Sequence, residues 1–212
     1  MEKETTRSCI DCGAVNCDKQ DKSYPKFCLT TENLNEEVLE ESLKLYEEEE
    51  NHKVMIEAAN VEAEYYGIMT RVEEIAEFAA RMGFKKLGIA TCVGLINESR
   101  ILASILRKKG FEVFGVACKA GAIDKTQAGI AESCKKVGKN MCNPIHQAKR
   151  LNAEKTELNI VMGLCVGHDS LFYKYSDALV TTLVTKDRVL GHNPAAALYN
   201  ANSYYRRLLE EK

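Results

Sequence analysis

The sequence predicts an α/β fold: a Rossmann-like, doubly wound and mostly parallel sheet, preceded by a four-cysteine metal-binding arm and helices. Three observations carry this prediction. Short apolar runs alternate with helical patterns in the second half of the chain, a cysteine-free helical stretch precedes them, and four cysteines crowd into the first 28 residues. Near-continuous apolar strands separated by helices are typical of a parallel sheet covered on both faces. We therefore divide the chain into a metal-binding module (1–31), a helical connector (32–83) and an α/β domain (84–212).

The composition excludes several classes of protein. The 212 residues carry 29 basic and 31 acidic side chains, and this balance gives no reason to expect a nucleic-acid partner. No apolar run approaches the roughly 18 residues of a membrane helix, so we expect no membrane partner. The polar N-terminus lacks the apolar segment of a secretory signal, which favours the cytoplasm. Nine cysteines are too few for a disulfide scaffold and point to metal or thiol chemistry.

The connector contains three predicted helices. The first has a largely apolar face from Leu34 to Tyr46, and Asn35 is suited to cap its N-terminus. The second covers about 54–66. The third follows Thr70, a typical N-cap, and ends at Gly83, since glycine readily adopts the left-handed conformation found at helix ends.

The α/β domain contains four strand candidates, and they cover 86–91, 112–117, 158–163 and 178–185. The first connecting helix runs over 97–110, with a buried stripe formed by Ile101, Leu102, Ile105 and Leu106. A second helix begins after Asn143, with Pro144 at its first position. A helical segment is also expected over 128–137, with Cys134 packed on it.

The most specific feature of the sequence is the spacing C-x2-C-x4-C-x10-C near its N-terminus. It is formed by Cys9, Cys12, Cys17 and Cys28. Two residues between the first two cysteines allow one tight turn to aim both sulfurs at one metal, and the later two complete a set of four thiolates. We predict that these cysteines ligate a metal.

The identity of this metal stays open between iron and zinc. A zinc ribbon usually has two Cys-x-x-Cys hooks, whereas this segment has one. Irregular four-cysteine spacing is better known from iron–sulfur ligation, which favours a [4Fe–4S] cluster. Zinc is the alternative at this N-terminal site, because four thiolates are also a common structural zinc set.

A second group of cysteines follows the predicted strands. Cys92 and Cys118 come directly after the first and second strands, Cys165 lies just past the third, and Cys142 precedes a helix start. Because ligands of open parallel sheets bind beyond the carboxyl ends of the strands, we expect these four thiols to converge there. The convergence predicts a second metal or cluster site, with a metal-free thiol redox site as the alternative.

Two histidines accompany these thiols. His168 and Asp169 follow Cys165 and are candidates for catalytic proton transfer; alternatively, they begin a helix that Asp169 or Ser170 caps. His192 precedes another predicted helix start, with Asn193 as its cap and Pro194 at its first position. Whether His192 or Cys134 takes part in a site stays open.

Charged residues follow the fourth strand. Lys186, Asp187 and Arg188 lie where the chain leaves the carboxyl end of that strand. We interpret them as surface turn residues, with anion binding as the alternative.

The N-terminal cysteines, the segment GLCVGHDSLF (163–172) and the segment KDRVLGHNPAAALY (186–199) together resemble a known family. It is the cysteine-rich prokaryotic family catalogued as domain of unknown function 1847 and described as predicted metal-binding. The resemblance covers nearly the whole chain. It implies a cytoplasmic protein with bound metal, often from anaerobes, and it supplies neither a reaction nor a substrate.

These features together predict an iron–sulfur protein with one or two [4Fe–4S] clusters and with redox or small-molecule reductive chemistry. The expected partners are an electron-transfer protein or a small-molecule substrate. The alternative is a non-catalytic module that binds zinc or another metal and senses or carries a metal or small anion.

Overall fold

The structure is a computed structural model, and it describes residues 6–210. The chain divides into two compact units, Met1–Ile56 and Glu57–Lys212. The helices are α1 (Glu36–Leu45), α2 (Glu49–Tyr65), α3 (Arg71–Met82), α4 (Ile96–Lys108), α5 (Pro144–Ala153), α6 (His168–Tyr175) and α7 (Ala195–Tyr199). The strands are β1 (Lys86–Thr91), β2 (Glu112–Ala117), β3 (Leu158–Met162) and β4 (Leu179–Val184). Within the described range, no helix is both long and apolar enough to cross a membrane.

The predicted helix caps of the connector are present in the structure. The Asn35 side chain accepts a hydrogen bond from the Val38 amide at 3.1 Å and begins α1. Thr70 and Glu73 form a reciprocal capping box at the start of α3, and Gly83 ends that helix with a φ of 81°. Helix α2 begins at Glu49, five residues before the predicted helix, because the acidic run 47–50 continues into it.

The four strands form one parallel sheet in the order β2-β1-β3-β4, which confirms the predicted α/β class. From β1 the chain passes through α4 to one neighbour, β2, and β3 lies on the other side of β1. Thr91 at the end of β1 pairs with Ala117 on β2 and with Met162 on β3. The three strands therefore end at one level, and β1 lies at the point where the strand order reverses.

Two apolar layers cover the two faces of the sheet. One contains α3 and α4, whose residues Ala79, Leu102 and Leu106 are buried against the strands. The other contains α5 and α6, which contribute Leu151 and Phe172. The carboxyl ends of the strands meet at one end of the sheet, which is here called the carboxyl edge.

The structure corrects four details of the predicted elements. Ile101 is 63% exposed, because the buried stripe of α4 runs instead through Ser99, Leu102 and Leu106. Two 3-10 turns, Lys125–Ala128 and Glu132–Val137, replace the helix expected over 128–137. Cys134 is exposed on the second turn rather than packed. Helix α7 begins at Ala195 without a side-chain cap, whereas Asn193 was the predicted cap.

Candidate functional site

The carboxyl edge brings three cysteines from distant parts of the chain together. Cys92 directly follows β1, and its amide donates to the Met162 carbonyl at 3.0 Å. The Cys118 amide donates to the Thr91 carbonyl at 2.8 Å, so Cys118 leaves β2 beside the end of β1. The Cys118 carbonyl in turn accepts from the Asn143 amide at 2.8 Å, which holds Cys142 and the start of α5 at the same place.

The sulfur of Cys118 contacts the other two thiols. Cys118 has a side-chain hydrogen bond with Cys142 and another with Cys92. Cys118 is 2% exposed, whereas the other two cysteines are only partly buried. Cys118 is therefore the central, inner member of what we call the cysteine cluster, which consists of Cys92, Cys118 and Cys142.

These hydrogen bonds divide the thiols into one neutral and two ionised groups. The hydrogen bond with Cys118 lowers the pKa of Cys142 to about 3, and the contact with His168 acts in the same direction. The hydrogen bond with Cys118 also lowers the pKa of Cys92 to about 5. The pKa of Cys118 is raised, because its proton is shared with Cys142 and Cys92 and because it is buried. The cluster thus consists of two thiolates around one protonated thiol.

Each outer sulfur has a cation of its own. The Lys186 side chain contacts the sulfur of Cys92, and the Lys119 side chain contacts that of Cys142. The guanidinium of Arg188 donates to the sulfur of Cys165 at 3.1 Å, and this bond raises the Arg188 pKa. Arg188 is also within reach of the charges of the two thiolates in the cluster, so Cys165 lies next to the cluster. The carboxyl edge is therefore a site where thiolates are stabilised.

His168 is the first residue of α6, and its side chain reaches the sulfur of Cys142. This hydrogen bond raises the pKa of His168, because the thiolate favours the imidazolium form. Asp169 does not cap α6; Gly167 occupies the cap position, and the Asp169 carboxylate accepts from the Ser170 amide at 2.8 Å. Of the two residues predicted for proton transfer, His168 contacts the cysteine cluster directly.

Gln147 on α5 is hydrogen-bonded to the strand ends that lead into Cys92 and Cys118. Its side-chain amide is fully buried and donates to the carbonyls of Thr91 (3.1 Å) and Val116 (2.7 Å). These carbonyls lie one residue before Cys92 and two residues before Cys118. One side chain thus joins α5 to the ends of β1 and β2.

The loop after β4 carries Lys186 and Arg188 into the site. Its conformation is set by Asp187, whose amide donates to Nδ1 of His192 at 3.1 Å, while its carboxylate accepts from the Val189 and Leu190 amides. His192 therefore has a local role in shaping the loop, in a left-handed conformation with φ of 68°.

The four N-terminal cysteines lie on short turns of the first unit. Cys9 begins a 3-10 turn, Cys9–Asp11, and is exposed, whereas Cys28 is 9% exposed. Thr30 joins two of the four: its amide donates to the Cys28 sulfur at 3.3 Å, and its hydroxyl contacts the Cys17 sulfur at 3.9 Å. The backbone hydrogen bond from Thr30 lowers the pKa of Cys28. Thr30 therefore lies next to the sulfurs of both Cys17 and Cys28, which are two of the four predicted metal ligands.

A family model matches this chain over residues 28–183, and its description reads "Protein of unknown function (DUF1847)". The chain belongs to this family. A relative from Methanocaldococcus jannaschii, the uncharacterized protein MJ0455, is 48% identical over 187 residues, which is 88% of this chain and 96% of the relative. The DUF1847 match includes Cys92, Cys118, Cys142 and Cys165, and it begins at Cys28, after the other three N-terminal cysteines.

The donor chemistry at both places fits a thiolate-ligated metal. Sulfur from several cysteines is the ligand set of iron–sulfur clusters and of many structural zinc sites. As the side chains stand, no group of three or more His, Cys, Asp or Glu within residues 6–210 is arranged around a common metal position. All nine cysteines are free thiols, and those of the cysteine cluster are held by hydrogen bonds to one another.

Two groups at the site carry no strong signal in the sequence. Lys119 follows Cys118 directly, and only its neighbour's position at a strand end could have drawn attention to it. In the sequence, Gln147 is only one of several polar residues on an amphipathic helix, and nothing there indicates that it is buried. Lys186 and Arg188 can be identified from the sequence by their position, since they follow β4, a parallel strand of the same sheet as β1 and β3.

Proposed function

We propose that this DUF1847 protein is an iron–sulfur redox protein whose reacting centre is the carboxyl edge of the sheet. The observation that carries the proposal is the contact of Cys118 with both Cys92 and Cys142. Three thiols from three separate segments meet where ligands of open parallel sheets bind. If these cysteines only packed the protein interior, Cys92 and Cys142 would not need to be thiolates with lysine side chains beside them.

The surroundings of the cysteine cluster suit an anionic, thiolate-ligated centre. Thiolate is the form of cysteine that binds metals, and the cations Lys119 and Lys186 favour it without competing for the metal. Backbone amides add to this effect, since Val93 donates to the Cys118 sulfur and Gly94 to that of Cys92. Hydrogen bonds to sulfur and local charge are the features by which proteins adjust iron–sulfur centres.

In this proposal the ligands of a [4Fe–4S] cluster are Cys92, Cys118, Cys142 and Cys165. When bound, such a cluster supplies one-electron transfer. His168 is the proposed proton donor to a substrate reduced at this centre, because its proton is already held at the Cys142 sulfur. Asp169, which engages its neighbouring amide, assists by favouring the protonated imidazole.

The N-terminal cysteines form a second metal centre in the proposal. Cys9, Cys12, Cys17 and Cys28 supply four thiolates, which hold either a [4Fe–4S] cluster that receives electrons from a partner protein or a structural zinc ion. The arrangement of Cys17 and Cys28 around Thr30 supports a shared ligand site.

Metal analysis of protein purified without oxygen tests the proposal. We expect iron and acid-labile sulfide together, with the visible absorption and electron paramagnetic resonance signals of an iron–sulfur cluster after reduction. Cys118→Ser should lose the iron of the carboxyl edge, and Cys12→Ser should lose the N-terminal metal alone. Cys134→Ser is the matched control, since Cys134 is exposed on a separate turn.

Colourless protein without iron, or with zinc at both places, would contradict the iron–sulfur proposal. Equal metal content in the Cys118→Ser variant and the parent would contradict the assignment of the carboxyl edge. Circular dichroism of each variant establishes that the loss of metal is not a loss of fold.

A further inference from the structure

Strand β2 lies at one edge of the sheet, and its outer side carries unpaired backbone groups. The amides of Glu112 and Cys118 both donate to backbone carbonyls on the β1 side. Because successive residues of a strand face opposite neighbours, the amides of Val113, Gly115 and Ala117 face outward. Among residues 6–210 these three amides have no hydrogen-bond acceptor. A free edge of this kind is a template for a further strand.

The outward carbonyls of β2 are only partly engaged. The Val113 carbonyl accepts from the Arg107 guanidinium at 3.1 Å, and the Ala117 carbonyl accepts from the Ala120 amide at 3.0 Å. The Gly115 carbonyl has no donor within the described part of the chain, and Gly115 is exposed. Both backbone groups of Gly115 are therefore accessible at the middle of the edge.

A groove of about 270 Å³ lies beside this edge, between β2 and α4. Small residues leave it open, namely Ala103 on α4 and Gly115 on β2. Its polar lining includes the buried hydroxyls of Thr91 and Ser99, which bond to each other at 2.6 Å. Since alternate side chains of a strand share one face, a strand added to β2 would place every second side chain on the side of this groove.

Two exposed arginines of α4 line the groove, Arg100 and Arg107. Within residues 6–210, neither takes part in an ion pair with Asp or Glu. Arg100 donates to the Asn97 side chain and Arg107 to the Val113 carbonyl. A guanidinium has five N–H donors, so each arginine retains donors for a ligand.

The charge of this part of the chain is opposite in sign to that of the whole. Residues 99–119 contain five basic side chains and one acidic side chain, whereas the formal net charge of the chain is -2. A basic edge of this kind attracts an acidic partner. A second copy of this chain would bring two basic edges together, and like charges across an interface are unfavourable.

We propose that the outer edge of β2 and the groove beside it bind an extended acidic segment of a partner protein, which adds a strand to the sheet. The backbone of the segment pairs with the outward groups of β2, and its carboxylates pair with Arg100 and Arg107. An apolar side chain between these carboxylates lies over Ala103 and Gly115. The site uses no thiol and does not depend on the iron–sulfur function proposed above.

The spacing of the arginines defines the sequence that fits. Arg100 and Arg107 are seven residues apart on a helix, which corresponds to about 10 Å along its axis. Residues four apart on a strand are separated by about 13 Å, and the long arginine side chains cover the difference. The preferred segment is therefore acidic-x-apolar-x-acidic.

Peptide binding to the purified protein tests the proposal. The probe is the fluorescein-labelled peptide TDTITDT, whose two aspartates and isoleucine share one face of a strand. The control peptide TKTITKT has the opposite charge. We expect the acidic peptide to bind at least about ten-fold more tightly in about 0.15 M salt, measured by fluorescence polarisation. Equal binding of the two peptides, or binding of neither, would overturn the proposal.

Charge variants show whether the arginines of the groove hold the peptide. Arg100→Met combined with Arg107→Met should weaken binding of the acidic peptide at least about ten-fold. The matched control is Lys108→Met combined with Lys109→Met, which removes the same charge from the end of the same helix, outside the groove. We expect this control to change binding less than about two-fold. Equal weakening in both pairs would mean diffuse charge attraction and would overturn the site.

Two measurements on the parent protein need no variant to fold. In hydrogen exchange followed by NMR, saturation with the acidic peptide should slow the amides of Val113, Gly115 and Ala117 at least about ten-fold, because they become hydrogen-bonded. Unchanged exchange would contradict strand addition. Sedimentation velocity shows whether a second copy occupies the edge instead. A dimer that the acidic peptide dissociates would overturn the proposal in favour of an interface between copies.

Discussion

The buried side-chain amide of Gln147 donates a hydrogen bond to the carbonyl of Val116 at 2.7 Å. The same nitrogen also donates to the Thr91 carbonyl at 3.1 Å, so one helix is tied to the ends of two strands. The Gln147 carbonyl oxygen has no hydrogen-bond partner among the described residues. A buried, half-satisfied amide costs free energy, and its position beneath the cysteine cluster indicates that it positions Cys92, Cys118 and Cys142.

Gln147→Met should loosen the cysteine cluster. Methionine has a similar length but donates no hydrogen bond, so we expect a loss of about 1–2 kcal/mol in the free energy of unfolding. We also expect Cys118 to react faster with a thiol-alkylating reagent, because the strand ends are no longer joined. Urea titration and mass spectrometry of alkylated peptides measure these effects. Gln127→Met, at an exposed position, is the control; a similar change there would contradict the positioning role.

Gly88→Ala should destabilise the sheet, whereas Gly115→Ala on the neighbouring strand should not. A methyl group at residue 88 would collide with the Oδ1 atom of Asn159, which is buried and hydrogen-bonded to Thr156 and Ser176 and so cannot yield. We expect a loss of about 1–3 kcal/mol.

At Gly115 the nearest atom to an added methyl group is the Ile89 carbonyl oxygen, 3.8 Å away. We expect this variant to stay within about 0.5 kcal/mol of the parent. Thermal unfolding of the two variants side by side measures the difference. Equal stability of the two would show that Asn159 rearranges.

His168→Gln should raise the pH at which Cys142 begins to react in the reduced, metal-free protein. The imidazolium of His168 is one cause of the low pKa of the Cys142 thiol, and glutamine cannot replace its charge. A charge-assisted hydrogen bond of about 1.5–3 kcal/mol corresponds to a rise in this pKa of about 1–2. The pH dependence of iodoacetamide labelling at Cys142 measures the change. His146→Gln, on α5, is the control, and an identical profile in both variants would contradict the contact.

The stability that Cys142 contributes should depend on pH. Its thiol has a pKa of about 3 in the folded protein, against about 8.5 in an unfolded chain. Between these values the unfolded state binds more protons, so the stabilisation is fully present above about 8.5 and is lost as the pH falls toward 3. Cys118 acts in the opposite direction, since its raised pKa removes stability above about 8.5.

We therefore expect the difference in unfolding free energy between the reduced, metal-free parent and Cys142→Ser to shrink as the pH falls from 8 to 4. Urea titrations at stepwise pH values measure this difference. A difference that does not vary with pH would show that Cys142 is a neutral thiol in the folded protein.

Local sequence patterns predicted most of the elements correctly. The apolar runs predict the four strands to within one residue at each end, because short apolar runs bounded by polar residues specify a strand directly. The caps at Asn35, Thr70 and Asn143 were also correct, since a cap depends on residues only three positions apart. The exposure of Ile101 could not be predicted, because the sheet decides which side of α4 it covers.

The sequence by itself determined the order of the elements and the positions of Cys92, Cys118 and Cys142 beside strand ends or a helix start. Only the tertiary structure decided that Cys118 lies between the other two, that Lys186 and Lys119 contact the sulfurs of Cys92 and Cys142, and that Arg188 donates to the neighbouring Cys165. The physical reason is that these contacts join residues far apart in the chain. They depend on the strand order β2-β1-β3-β4, in which β1 lies between β2 and β3, and no local pattern encodes that order.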